Sequence, residues 1–295
     1  MKTLIAIIFL CVGSAFATTN VRVAAISFVP KKFDLPHNAK RLESLFIQAA
    51  TNGAKIAVAP EGALEGYVVN EIIAGKASPE SMNDLAVPLD SKVVRRFQNL
   101  ARQYDLCLVF GLAERIGKDV FNCAVFIDNT GKIAGKQHKM QFAEGYHPEW
   151  WFNRLAKNNR AFDTPYGRCG IMICNDRWNP MIARIPALDG AQFLIIPSFG
   201  SRSKAQDKAV LARAKENNLP IIEANVGVTL IVSENKIAAV DRHEEGITYS
   251  NIKIPSRHVI KPKERDRAEA EFMEWRKTEM RKRYERTMSR LKKAR

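Results

Sequence analysis

The 295-residue sequence predicts an α/β fold in which helices cover a mixed β-sheet. Three observations lead there. Short runs rich in Val, Ile and Ala, such as residues 21–29 and 56–59, have the length of buried strands. Between them lie segments whose apolar residues recur at helical spacing, such as 38–52 and 91–104. Turn residues separate the two kinds of segment, as at Gly53, Pro60-Glu61-Gly62 and Asp128-Asn129-Thr130-Gly131. An apolar fraction of 46% is enough for a sizeable core, which argues against a disordered chain.

Taken in order, residues 21–29 read as the first strand. In 38–52, Leu42, Leu45, Phe46 and Ala49 fall on one helical face, and Gly53 closes the segment as a C-cap would. Residues 56–59 form a short buried strand that stops at Pro60. In 91–104, Val94, Phe97, Leu100 and Ala101 point inward. Residues 107–112 and 121–128 are strands, and a turn at 128–131 returns the chain along 132–136. Residues 169–174 read as the next strand, 179–189 as a helix and 193–197 as a strand. A helix at 206–217 and strands at 220–224 and 226–232 follow, and the globular part ends near Pro255.

The two ends differ from the middle. Met1-Lys2-Thr3, an apolar run over 4–12 and Ser14-Ala15-Phe16-Ala17 form a signal-peptide pattern, with cleavage expected after Ala17. That run is too short to span a bilayer, and Cys11 has Leu10 rather than a small residue before it. Export without a lipid anchor is therefore expected, with residues 18–260 as the folded domain. Residues 261–295 hold 14 Lys or Arg against 7 Asp or Glu, a net +7 out of +15 for the whole chain. Lacking Gly and Pro beyond Pro262, this tail predicts one long helix. Met273, Met280, Tyr284 and Leu291 share a face, so the helix is either solvated or packed on a partner subunit. No nucleic-acid recognition motif accompanies the charge.

Beyond the signal, Cys107, Cys123, Cys169 and Cys174 remain, too few for a disulfide scaffold. Cys107 and Cys123 lie in neighbouring strand candidates, as two buried thiols or as a disulfide. No Cys-x-x-Cys or His-x-x-x-His spacing suggests a structural metal.

Three apolar runs end in reactive residue types. Glu61 follows 56–59; a carboxylate at a buried strand end is partly desolvated, which suits it to act as a base. Lys139 follows the returning strand and supplies a positive charge. Cys174 ends the apolar run Ile171-Met172-Ile173 and is followed at once by polar residues. Each has an ordinary alternative: a turn glutamate, a surface lysine, a buried thiol.

Together they form an ordered set. Pro60-Glu61-Gly62-Ala63-Leu64-Glu65-Gly66-Tyr67, His138-Lys139-Met140 and Cys174-Asn175-Asp176 with Pro180 resemble the three motifs of the nitrilase, or carbon–nitrogen hydrolase, superfamily. The likeness extends through Ile196-Pro197-Ser198 and Ala214-Lys215-Glu216-Asn217 to about Pro255. It implies a four-layer αββα sandwich, a homodimer or higher oligomer, and a Glu-Lys-Cys triad of Glu61, Lys139 and Cys174. It also implies a supporting Glu144, with Glu149 in reserve, and an oxyanion site made by Lys139 and the Asn175 backbone N–H. No metal or organic cofactor is implied.

Cys174-Asn175-Asp176-Arg177 is similar to the N-carbamoyl-D-amino-acid hydrolase branch, where arginine holds the substrate carboxylate. Here Trp178, Asn179 and Met181 depart from that branch, and Arg177 has a second reading as one half of an ion pair, with Asp176 its nearest candidate partner. Arg177 and Ser198 are the substrate-binding candidates. The expected activity is hydrolysis of an amide or N-carbamoyl group. Nitrile hydrolysis is a second enzymatic reading, and a catalytically silent protein that binds envelope material is a third.

Overall fold

The computed structural model describes residues 18–256 and 259–294. The expected signal peptide, residues 1–17, lies outside them.

Helices and strands alternate as the periodicity requires. The first half runs β1 (Thr18–Ser27), α1 (Leu35–Thr51), β2 (Ile56–Val58), the short α2 (Val69–Ile73) and α3 (Ser81–Leu85), α4 (Lys92–Tyr104), β3 (Cys107–Ile116), β4 (Asp119–Ile127) and β5 (Ile133–His138). The second half runs β6 (Phe162–Thr164), β7 (Gly167–Ile171), a single 3₁₀ turn (Cys174–Trp178), α5 (Pro180–Leu188) and β8 (Phe193–Ser198). It continues with α6 (Lys204–Asn217), β9 (Ile221–Asn225), β10 (Val228–Ser233), β11 (Lys236–Asp241), β12 (Gly246–Pro255) and α7 (Pro262–Ala294).

The strands form two six-stranded sheets, ordered β12-β1-β2-β3-β4-β5 and β11-β10-β9-β8-β7-β6. Pairing is parallel through β1-β2-β3 and β7-β8-β9 and antiparallel toward the edges, so both sheets are mixed. The central strands β1–β3 and β7–β9 are largely apolar on both faces because both faces are covered. In β1, Val21, Val23 and Ala25 meet the second sheet, while Ala24 and Ile26 meet the helices. Leu42 and Phe46 of α1 and Val94 and Phe97 of α4 pack outside the first sheet. Ile182 and Ile185 of α5, Val210 of α6 and Phe272 of α7 pack outside the second. Helix, sheet, sheet, helix is the four-layer αββα order that the motifs implied.

Two sequence expectations change and one open alternative closes. The run into Cys174 is not all strand: β7 stops at Ile171, and Cys174 takes a left-handed φ of 47° at the start of the 3₁₀ turn. The Asp176 carboxylate accepts the Ile173 N–H at 3.0 Å and so ends the extended run. Cys107 and Cys123 cannot be joined. Cys123 pairs with Leu112, five residues along β3 from Cys107, and the two thiols lie on opposite faces of the sheet. Five residues of strand span roughly 17 Å, against the 7 Å limit for a disulfide; all four cysteines of the described chain are free. Finally, the charged C-terminal helix does not stand off in solvent. Phe272 and Met280 are buried in its own chain, Phe272 over the second sheet and Met280 against Phe142, Trp151 and Phe152.

Candidate active site

The three chain segments expected to carry chemistry meet at the same end of the sheet pair. Glu61 follows β2 after Ala59 and Pro60, Lys139 follows β5, and Cys174 lies three residues past β7. A close backbone approach brings Glu61 in. The Gly111 N–H of β3 donates to Pro60 O at 3.0 Å, and a Cβ on Gly111 would lie 2.5 Å from the Glu61 Cα. Only glycine on β3 lets the turn lie this close.

Glu61 is fully buried. Its Oε1 accepts from Lys139 Nζ at 2.6 Å and from Asn122 Nδ2 at 2.6 Å, and its Oε2 accepts from the Phe199 N–H at 3.1 Å. The Lys139 ammonium is buried too and sits 5.8 Å from the centre of the Tyr67 ring. Burial opposes its charge, but Glu61, Cys174 and Glu144 more than offset that and hold its pKa above the usual lysine range.

The Cys174 thiol donates to Phe199 O at 3.6 Å, and Arg177 Nη2 donates to Sγ at 3.3 Å. One residue, Phe199, therefore touches both the carboxylate and the thiol through its own backbone N–H and C=O. Burial, with help from Glu61, pushes the thiol's pKa up, and Lys139 and Arg177 pull it back. A thiol in this setting rests protonated and needs a base to become a nucleophile.

Asp176 fixes how the lysine and cysteine segments sit together. Besides Ile173, it accepts the N–H groups of Met140 at 3.2 Å and Gln141 at 3.0 Å. Gln141 Nε2 in turn donates to Asn175 O at 2.8 Å. Burial raises the Asp176 pKa to about 6, with the three N–H bonds and Lys139 acting against it. Asp176 is thus not the partner of Arg177. That partner is Glu223 of β9, and both members of the ion pair are buried. Ser198 Oγ donates to the same carboxylate at 3.0 Å and Gln206 Nε2 at 3.1 Å. Arg177 and Ser198, the candidates for holding substrate, both point at a carboxylate of the protein itself.

Glu144 is buried, and burial raises its pKa while Lys139 lowers it. It also borders a cavity of about 280 Å³ shared with Asn70, Ile73, Thr287 and Arg290. The reserve candidate Glu149 is exposed, in a turn where its N–H meets His147 Nδ1 at 3.3 Å. Trp150 stacks on Trp151 with centroids 4.5 Å apart and packs against Tyr284 of α7.

Sequence reasoning missed several residues. Asn122 and Phe199 contact Glu61 directly, Tyr67 stacks on Phe199 at 4.8 Å, and Glu223 neutralises Arg177. Glu65 lies in the same motif as Glu61. It is buried, accepts the Ala113 N–H at 3.1 Å, and burial raises its pKa to about 7. A polar residue inside an apolar run, as Asn122 in β4 and Glu223 in β9, was the available signal. Among the described residues, Glu114, Cys123 and His138 place three possible metal donors within 4.8 Å of one another. Lys136 pairs with that glutamate and His138 Nε2 lies 2.6 Å from it, so the carboxylate is already matched by protein groups.

With this geometry in view, comparison with known proteins is decisive for the family. The carbon-nitrogen hydrolase family model matches residues 22–259. The chain belongs to the carbon-nitrogen hydrolase family. It is 31% identical over 262 residues to a citrullinase of Francisella tularensis subsp. tularensis, covering 79% of this chain and 88% of that one. It is 29% identical over 220 residues to an N-carbamoylputrescine amidase of Solanum tuberosum, covering 74% and 71%. An amidase from Nesterenkonia sp. superposes with a TM-score of 0.65 at 22% identity, covering 80% of this chain and 90% of that chain, which shows the shared fold. A mutant of the amidase from Nesterenkonia sp. AN1 is also known with acrylamide added at its active-site cysteine. This carbon-nitrogen hydrolase is therefore an enzyme of the nitrilase superfamily with amidase-type relatives. No helix among its described residues is long and apolar enough to cross a membrane.

Proposed function

We propose that this carbon-nitrogen hydrolase cleaves an amide or N-carbamoyl group through Cys174, Glu61 and Lys139. The observation that carries the reading is the shared contact at Phe199: its N–H meets Glu61 Oε2 and its C=O meets the Cys174 thiol, while Lys139 holds the other Glu61 oxygen. Base, nucleophile and cation are thereby arranged around the backbone of one residue, Phe199.

In this mechanism Glu61 takes the thiol proton and Cys174 attacks the carbonyl carbon. The Lys139 ammonium and the Asn175 backbone N–H stabilise the oxyanion. The proton held by Glu61 goes to the leaving nitrogen, and a thioester (or S-carbamoyl) enzyme remains. Glu61 then activates water, which attacks the carbonyl and restores the free thiol. In the resting site Lys139 is protonated, because Glu61, Cys174 and Glu144 together outweigh its burial. Buried Glu144 acts behind Lys139 in the same charge balance.

The citrullinase and N-carbamoylputrescine amidase names of two relatives support a ureido, that is N-carbamoyl, substrate. Carboxylate recognition is not assigned to Arg177, whose guanidinium meets Glu223. Export after cleavage near Ala17 and assembly as a homodimer complete the proposal. N-terminal sequencing of the mature protein and its mass in solution test those two parts.

The chemistry is tested by ammonia release from simple amides, nitriles and N-carbamoyl amines and amino acids, with Cys174→Ala and Glu61→Gln alongside. Turnover of amides or N-carbamoyl compounds that both variants abolish is expected. Wild-type turnover in Cys174→Ala would exclude the thiol mechanism, and turnover of nitriles alone would replace the substrate assignment.

A further inference from the structure

We infer that α7 is a working part of the active site: Arg276, Arg283 and Thr287 are positioning residues for the loop that carries Lys139 and Glu144. The inference rests on the roles proposed above for those two residues.

The loop that follows β5 has no regular structure between Lys139 and Tyr146, so its backbone groups need partners from elsewhere. Its N–H groups at Met140 and Gln141 go to Asp176, on the cysteine side. Its carbonyls go to α7. Arg276 Nη1 donates to Met140 O at 3.1 Å, Arg283 Nη1 to Phe142 O at 3.0 Å, and Thr287 Oγ1 to Glu144 O at 2.8 Å. Arg276 also donates to Ala156 O at 2.8 Å, and the Ala156 N–H donates back to Lys139 O at 3.1 Å. The arginine thus holds both the residue after the lysine and the residue hydrogen-bonded to the lysine's carbonyl.

Contact is close along the whole loop. Gly145 has a φ of +94°, and a Cβ there would lie 2.1 Å from Tyr284 N of α7, so helix and loop touch backbone to backbone. The Tyr146 N–H reaches Met280 O at 3.4 Å. Residues 276, 280, 283, 284 and 287 recur at three- and four-residue spacing and form one stripe of the helix. Thr287 is buried and Phe272 and Met280 anchor the stripe, so it has no freedom to slide. The loop is clamped between the cysteine turn and α7, and the helix therefore sets where the Lys139 ammonium sits relative to the thiol.

A group misplaced by about 1 Å can cost on the order of 10²-fold in rate. Arg276→Met is accordingly expected to lower kcat by about that factor with KM little changed. Thr287→Val is expected to lower kcat as well, and Thr287→Ser, which keeps the hydroxyl, to restore it. A second readout separates positioning from general loosening. The rate of Cys174 alkylation by iodoacetamide is followed against pH; withdrawal of Lys139 removes a positive neighbour and moves the midpoint upward in Arg276→Met and Thr287→Val. Cys174→Ala is measured in parallel. Activity persisting in Cys174→Ala would break the catalytic reading itself. Inactive Cys174→Ala together with wild-type kcat and an unmoved midpoint in the α7 variants would leave that reading standing and overturn this inference. If Arg276→Met does not fold, Thr287 decides: Val impaired and Ser restored supports the clamp, and the two behaving alike refutes it.

Discussion

Lys139 Nζ lies 2.6 Å from Glu61 Oε1, and neither side chain is exposed. A buried pair of this kind costs desolvation on both sides, and its Coulomb attraction roughly repays that cost. Removing one member leaves the other charge stranded. Glu61→Gln is therefore expected to lose both activity and stability, the latter by about 3–5 kcal/mol. Glu61→Gln/Lys139→Met should recover much of the stability and none of the activity. Urea unfolding and ammonia release check the two halves; a single variant as stable as the wild type would contradict the burial argument.

The Arg177–Glu223 pair, also buried, makes the same demand and adds a chemical one. Arg177 Nη2 contacts the Cys174 sulfur at 3.3 Å and favours its thiolate. Glu223→Gln should destabilise the fold by about 3–5 kcal/mol. Arg177→Met should in addition shift the pH midpoint of Cys174 alkylation upward. If Arg177 instead held a substrate carboxylate, the main effect of Arg177→Met would be a rise in KM for carboxylate-bearing substrates only.

Asp176 offers a pH signature in which activity and stability part company. Its folded pKa, about 6, stands above the ordinary aspartate value of 3.8. Below about pH 6 the folded chain takes up a proton that the unfolded chain does not, so this group's contribution to stability rises as pH falls. Above that it is ionised and its contribution is at its least favourable. Protonation, however, turns one acceptor oxygen into a donor and loosens its hold on Ile173, Met140 or Gln141. Activity is expected to decline below about pH 6 while this contribution to the unfolding free energy does not decline. Paired pH profiles of kcat and of urea stability test it, with Asp176→Asn expected to be impaired at all pH values.

Free thiols should number four in the chain beyond Ala17 once unfolded without reductant. In the folded protein Cys174 should react first. Burial pushes Cys107 up to about 12 and holds Cys123 and Cys169 well above the ordinary thiol range, whereas Lys139 and Arg177 counter the effect at Cys174. Mass spectrometry of a timed alkylation shows the order. A linked Cys107–Cys123 peptide would contradict the strand register.

How much of this was legible in sequence depends on the range of the interaction concerned. Strands and helices of the core were, because local apolar period reports burial: Leu42, Phe46, Val94 and Phe97 face the core as their spacing demanded. The edge strands β11 and β12 were not: the apolar run of β11 is only Ile237-Ala238-Ala239-Val240, and β12 is recruited by antiparallel pairing with β1. The three candidate catalytic residues could be named from their positions after apolar runs and from the order of their motifs. What surrounds them could not.

The sequence by itself determined the layered α/β class, the membership of Glu61, Lys139 and Cys174 in one ordered set, and a helix at the C-terminus, because each is written in short-range pattern. Tertiary structure alone decided that Arg177 pairs with Glu223 rather than Asp176, that Asp176 binds the lysine loop to the cysteine turn, and that α7 folds back onto that loop. Those choices join residues 35 to 143 positions apart. They are settled by which buried donors and acceptors are left without water once the sheets close, and no local period encodes that.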